Sequence, residues 1–75
     1  TRLAEKIFLE SIQLARAQQA RFFELKSALG LARLWASRNM AKQARLLLSD
    51  ILDQMTEGFE VPIVIAAIQF LGQLS

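Results

Sequence analysis

The densest run of groups able to hold a cation is Asp50, Asp53, Glu57 and Glu60, four carboxylates within eleven residues. A calcium loop needs oxygen ligands at alternate positions around a central glycine, and this run lacks both the alternation and a glycine at its centre. Surface carboxylates beside a loop are the simpler reading. Histidine and cysteine are absent, which removes the commonest general base, the commonest metal ligands and every disulfide. Tyrosine is absent too, and no G-x-x-x-x-G-K-[ST] phosphate loop occurs. No nucleophile–base pair or metal constellation can be assembled. The chain therefore reads as non-enzymatic, with no catalytic, cofactor-binding or metal-binding residue and no cofactor.

The remaining polar chemistry is basic. Arg33, Arg38, Lys42 and Arg45 cluster around "SRNM". Arg38 and Lys42 can contact an acidic peptide as a carboxylate clamp, and the whole face from Arg33 to Arg45 can meet a nucleic-acid backbone. The competing reading is a solvated helix face. Acidic and basic residues interleave, the formal net charge is +2, and no polybasic block is present, which disfavours nucleic acid and anionic lipid as partners. Arg21 followed by Phe22 and Phe23 can form a stacking platform, but no second aromatic–basic cluster accompanies it, so a helix start with one ring in the core is the simpler expectation. Trp35 can stack on a ligand, yet it shares a stripe with Leu31 and Ala32, which favours packing.

These residues need helices to position them. Apolar residues recur at helical spacing as Ala4, Ile7, Phe8, Ser11, Ile12 and Ala15, then as Phe22, Leu25, Ala28, Leu29, Ala32 and Trp35. The third stripe, Ala44, Leu47, Leu48, Ile51, Leu52 and Met55, is the cleanest. Asn39 can take the left-handed conformation that ends a helix. In "TEGFEVP", Gly58 supplies a permissive backbone position and Pro62 suits the first turn of a new helix. Glu57 and Glu60 precede that turn, where negative charge favours a helix N-terminus. A strand competes only at Val61, Ile63, Val64 and Ile65, and the helical continuation through Leu71 outweighs it. The class is all-α: four helices in one 75-residue domain, antiparallel because the loops are short.

The punctuation fits a repeat. "LARLW" (Leu31, Ala32, Trp35) is similar to the L-G-x-x-Y core of a tetratricopeptide repeat. Ala44, Leu48 and Ile51 follow with the spacing of its second helix. Ala4, Phe8 and Ser11 reproduce that spacing forty residues earlier, a longer period than the usual ~34. On this reading residues 1–20 are the second helix of one repeat, 21–56 a helical hairpin and 57–75 a closing helix. The scaffold is Ala4, Phe8, Leu31, Ala32, Trp35, Ala44, Leu48 and Ile51. More specifically, "FLESIQLARAQQARFFELKSALGLARLW", "ARLLLSDILDQMTEGFE" and the closing "LS" resemble the C-terminal end of large bacterial predicted ATPases and adenylate cyclase-type regulatory proteins. That resemblance implies a fragment of a larger cytoplasmic signalling chain.

The last helix departs from that family. Its inward stripe is Val64, Ala67, Phe70 (or Leu71) and Leu74, but the positions between hold Ile63, Ile65, Ala66 and Ile68 where the family has charged residues. A helix apolar all round is buried on more than one side. Each isoleucine moved from water to an interface contributes roughly 1.5–3 kcal/mol before ordering costs. The expected function is a non-catalytic interaction or assembly module that self-associates through Ile63, Ile65 and Ile68. Docking on further protein and internal burial are the alternatives. The longest apolar run, Val61 to Leu71, is interrupted by Gln69 and is too short to span a bilayer, so no membrane partner is expected and the expected location is cytoplasmic.

Overall fold

The computed structural model describes residues 2–55 and 57–74. Thr56, which opens the "TEGFE" break, and Ser75, the expected end of the closing helix, lie outside the described residues. Four helices and no strand are found among the described residues: α1 Arg2–Ala17, α2 Arg21–Ser37, α3 Ala41–Asp53 and α4 Pro62–Gln73.

The first two connections have the same construction. Gln19 and Asn39 both take positive φ, 56° and 63°, just past the ends of α1 and α2. At the first turn the Ala20 N–H donates to the Ala15 carbonyl and the Gln19 N–H to the Arg16 carbonyl. At the second, the Met40 N–H donates to Trp35 and the Asn39 N–H to Ala36. Both are Schellman closures, in which a left-handed residue lets two N–H groups reach back to carbonyls the helix leaves unpaired. Ala20 and Met40, twenty residues apart, also stand at the N-caps of the next helices. The third connection is longer. Gly58, at φ +83°, turns the chain, and Pro62 occupies the first turn of α4, where its missing N–H costs nothing.

Helix α2 is central. It packs against α1, α3 and α4, while α3 also meets α4, and among the described residues the backbone of α1 comes close to no helix but α2. The core joins Ile12 of α1 to Leu25, Ala28, Leu31 and Ala32 of α2, Ala44, Leu48 and Ile51 of α3, and Val64 and Ala67 of α4. Ala28, Ala32, Ala44 and Ala67 are fully buried. Their small side chains let the helices approach closely, and Leu31, Leu48 and Ile51 fill the space beside them. The principal extents are 31 × 28 × 17 Å, so the short axis accommodates about two helix layers at the usual 8–10 Å spacing. A body this thin leaves much apolar surface uncovered.

Two expected inward residues point elsewhere. Ile7 is 53% exposed, because α1 has a single helical neighbour and only the arc through Phe8, Ile12 and Ala15 faces it. Phe22 is also exposed, and its ring lies against the backbone of Gly58: a Cβ built there would stand 2.7 Å from the Phe22 Cζ. The ring covers the α3–α4 turn rather than the core.

Candidate functional site

The structure separates the three isoleucines of α4. Ile65 and Ile68 are exposed, whereas Ile63 is half-buried against the core and faces α1 and α2 beside Phe8, Phe23 and Gly30. The cause is angular: at about 100° per residue, Ile65 and Ile68 lie within one arc and Ile63 roughly opposite. Ala66, Phe70, Leu71 and Leu74 are half-buried against the core around Val64 and Ala67. The outer face of α4 is thus Ile65, Ile68, Gln69, Gly72 and Gln73. No residue from Pro62 to Gln73 is charged.

A second uncovered apolar stripe runs along α1. Leu3, Ile7 and Leu14 are 67%, 53% and 61% exposed, at the helical spacing i, i+4, i+11. That spacing is visible in the sequence, but the inward stripe shares the same helix and overlaps it at Ile7. Exposed leucines scattered singly carry no message; three in register on one helix form a face.

The scaffold positions divide by depth. Leu31, Ala32, Ala44, Leu48 and Ile51 are completely buried, Ala4, Phe8 and Trp35 partly so. Trp35 packs against the core and its indole N–H donates to the Glu5 carboxylate at 2.9 Å, tying α2 to the start of α1. The ring therefore packs rather than standing free for a ligand.

The basic residues are divided between α2 with its C-cap and α3. Arg33 lies on α2 with its guanidinium 5.9 Å from the centre of the Phe70 ring, a cation–π contact. Arg38 is the C-cap of α2, and Lys42 and Arg45 are exposed on α3. The acids do not form a cluster: among the described residues no three of Asp, Glu, His and Cys stand close enough to hold a metal.

One polar pair escaped the sequence reading. Glu24, in the first turn of α2, is 4% exposed. Its carboxylate accepts from the Arg16 Nε at 2.6 Å, and the same guanidinium reaches Asp50 of α3 at 4.0 Å. Arg21 donates to Gln54 at 2.7 Å on the same side. These contacts stitch the ends of α1, α2 and α3 together. A spacing of eight residues across a turn has no sequence signature.

None of the described helices is long and apolar enough to cross a membrane. No family model matches the chain, and neither a curated protein nor a solved structure matches it.

Proposed function

We propose that this chain is a non-catalytic helical-repeat module for protein–protein interaction and assembly, and that it self-associates through the outer face of α4. The observation that carries the proposal is the pair Ile65 and Ile68, each more than two-fifths exposed on a helix without a charged residue. Water disfavours such a face, and a second copy laid against it removes the apolar area from solvent. Ile63, turned toward α1 and α2, is not part of that contact.

The repeat reading, antiparallel helices in tetratricopeptide-like hairpins, is supported by the two like turns at Gln19 and Asn39. It is supported also by the small alanines at the helix crossings. The exposed stripe Leu3–Ile7–Leu14 fits the same reading, because each layer of a solenoid seats its neighbour on an apolar helix face. The resemblance of "LARLW" and "TEGFE" supports the further reading of a C-terminal part of a larger bacterial signalling or regulatory ATPase, and a cytoplasmic location goes with that assignment. Arg38 and Lys42 remain accessible for an acidic peptide. A nucleic-acid interface over Arg33 to Arg45 is the second reading, disfavoured by a formal net charge of only +2 and the lack of a polybasic block.

Light scattering at micromolar concentration tests the assembly. The wild-type chain is expected as a dimer or larger species, and Ile65→Lys or Ile68→Glu as a folded monomer by circular dichroism. A wild-type monomer, or an oligomer indifferent to both substitutions, overturns the reading.

A further inference from the structure

On the opposite side of α4 from Ile65 and Ile68, three helices enclose an open groove of about 520 Å³. Phe8 of α1 forms one wall and Ile63 of α4 the other. Phe23, Lys26, Gly30 and Arg33 line it from α2, at i, i+3, i+7 and i+10 of one helical face. Gly30 lets the Phe8 ring lie on the α2 backbone, in the space a side chain there would take. Phe23 is 69% exposed, the most exposed large apolar residue among the described residues.

The charge of the groove is one-sided. Its ionisable lining residues are Lys26 and Arg33, both cations, and no carboxylate lines it. Among the described residues neither forms an ion pair; Glu24, the nearest acid along α2, is turned to Arg16. Two turns of helix separate the cations, about 10 Å along the axis.

We propose that this groove binds an apolar–acidic segment of a partner protein, an amphipathic helix being the form that fits best. Apolar side chains of the segment lie against Phe8, Phe23 and Ile63, and carboxylates two turns apart meet Lys26 and Arg33. Helix-in-groove recognition uses this division between apolar anchors and flanking charge. A nucleic-acid strand is a poorer fit, since two cations neutralise few phosphates. The groove is separate from the self-association face, so either proposal can fail alone.

The test is fluorescence anisotropy with a labelled helical peptide bearing Leu on one face and Glu two turns apart beside it. Its counterparts carry Lys for Glu, or Ser for Leu. The acidic peptide is expected to bind at least tenfold more tightly than either counterpart and to weaken as salt rises. Lys26→Glu with Arg33→Glu should cost tenfold or more and reverse the preference toward the basic peptide. Phe23→Ser should weaken binding without altering the molar mass of the protein. Because Lys26 and Phe23 are exposed, Lys26→Glu and Phe23→Ser alone keep the test valid if loss of the Arg33–Phe70 contact disturbs folding. Equal affinity for acidic and basic peptides, no binding, indifference to Lys26→Glu and Phe23→Ser, tighter binding of duplex DNA, or dissociation of an oligomer by Phe23→Ser would each overturn the proposal.

Discussion

The Phe8 ring rests on the backbone of α2 at Gly30, where a Cβ would stand 2.6 Å from its Cε1 and 2.9 Å from its Cζ. Nothing but a glycine allows α1 and α2 this contact without movement of the ring. The same contact shapes the wall and floor of the groove beside Ile63.

Gly30→Ala therefore sets two effects against each other. Alanine favours the helix by about 1 kcal/mol, while displacing a packed ring costs about 1–3 kcal/mol. In the wild-type background the expected outcome in urea denaturation is a loss of up to about 2 kcal/mol. In a Phe8→Ala background the clash is gone and Gly30→Ala should stabilise by about 1 kcal/mol. The sign reversal across this double-mutant cycle is the diagnostic; a stabilising Gly30→Ala with Phe8 present would contradict the contact.

The two left-handed turn residues should respond unequally to glycine. A non-glycine residue in this region costs about 1–2 kcal/mol, and asparagine tolerates it better than glutamine. Glycine relieves that strain but raises unfolded-chain entropy by about 0.4–1 kcal/mol. Gln19→Gly should gain about 0.5–1 kcal/mol in thermal unfolding, and Asn39→Gly less. A larger gain at Asn39 would refute the argument.

The triplet Leu46, Leu47, Leu48 offers a comparison within one turn of α3. Leu48 is fully buried and Leu46 60% exposed. Leu48→Ala should cost about 2–5 kcal/mol, enough to unfold much of a small domain, whereas Leu46→Ala should stay within about 0.5 kcal/mol. Guanidinium unfolding of both variants settles the orientation of α3, and equal costs would reject it.

The buried Glu24 makes Arg16 more important than Asp50. Arg16→Met leaves a carboxylate in the core margin without its donor, which costs about 1–3 kcal/mol. Asp50→Ala removes only the long, solvent-exposed arm of the network, worth about 0–1 kcal/mol. Chemical denaturation should rank Arg16→Met as clearly the more damaging; the reverse order would show that Glu24 finds its compensation elsewhere.

Much of the architecture is legible along the chain because its causes are local. Asn39, Gly58 and Pro62 mark backbone conformations that neighbouring residues cannot readily adopt: Asn39 closes α2, Gly58 turns the chain between α3 and α4, and Pro62 opens α4. Gln19 shows the limit of such reasoning. It adopts the same left-handed turn as Asn39 without a residue type that announces it, and the turn forms because α1 and α2 bury Ile12, Ala15 and Leu25 on either side of it. Likewise, Ile63, Ile65 and Ile68, the contact residues expected from the sequence, could be picked out by the absence of charge between them, but not sorted into an inner and an outer set.

Periodicity in the sequence determined that the chain is helical, where its helices break, and that its last helix carries no charge. Tertiary structure alone decided which apolar residues are covered. An apolar residue is buried only if a neighbouring helix packs on its side, and the number and placement of neighbours is a property of the whole fold. Helix α2, with three neighbours, buries most of its circumference, while α1, with one, leaves Leu3, Ile7 and Leu14 in water. For the same reason Ile63 joins the groove, Ile65 and Ile68 face outward, and Glu24 meets Arg16 across a turn that brings two helix ends together.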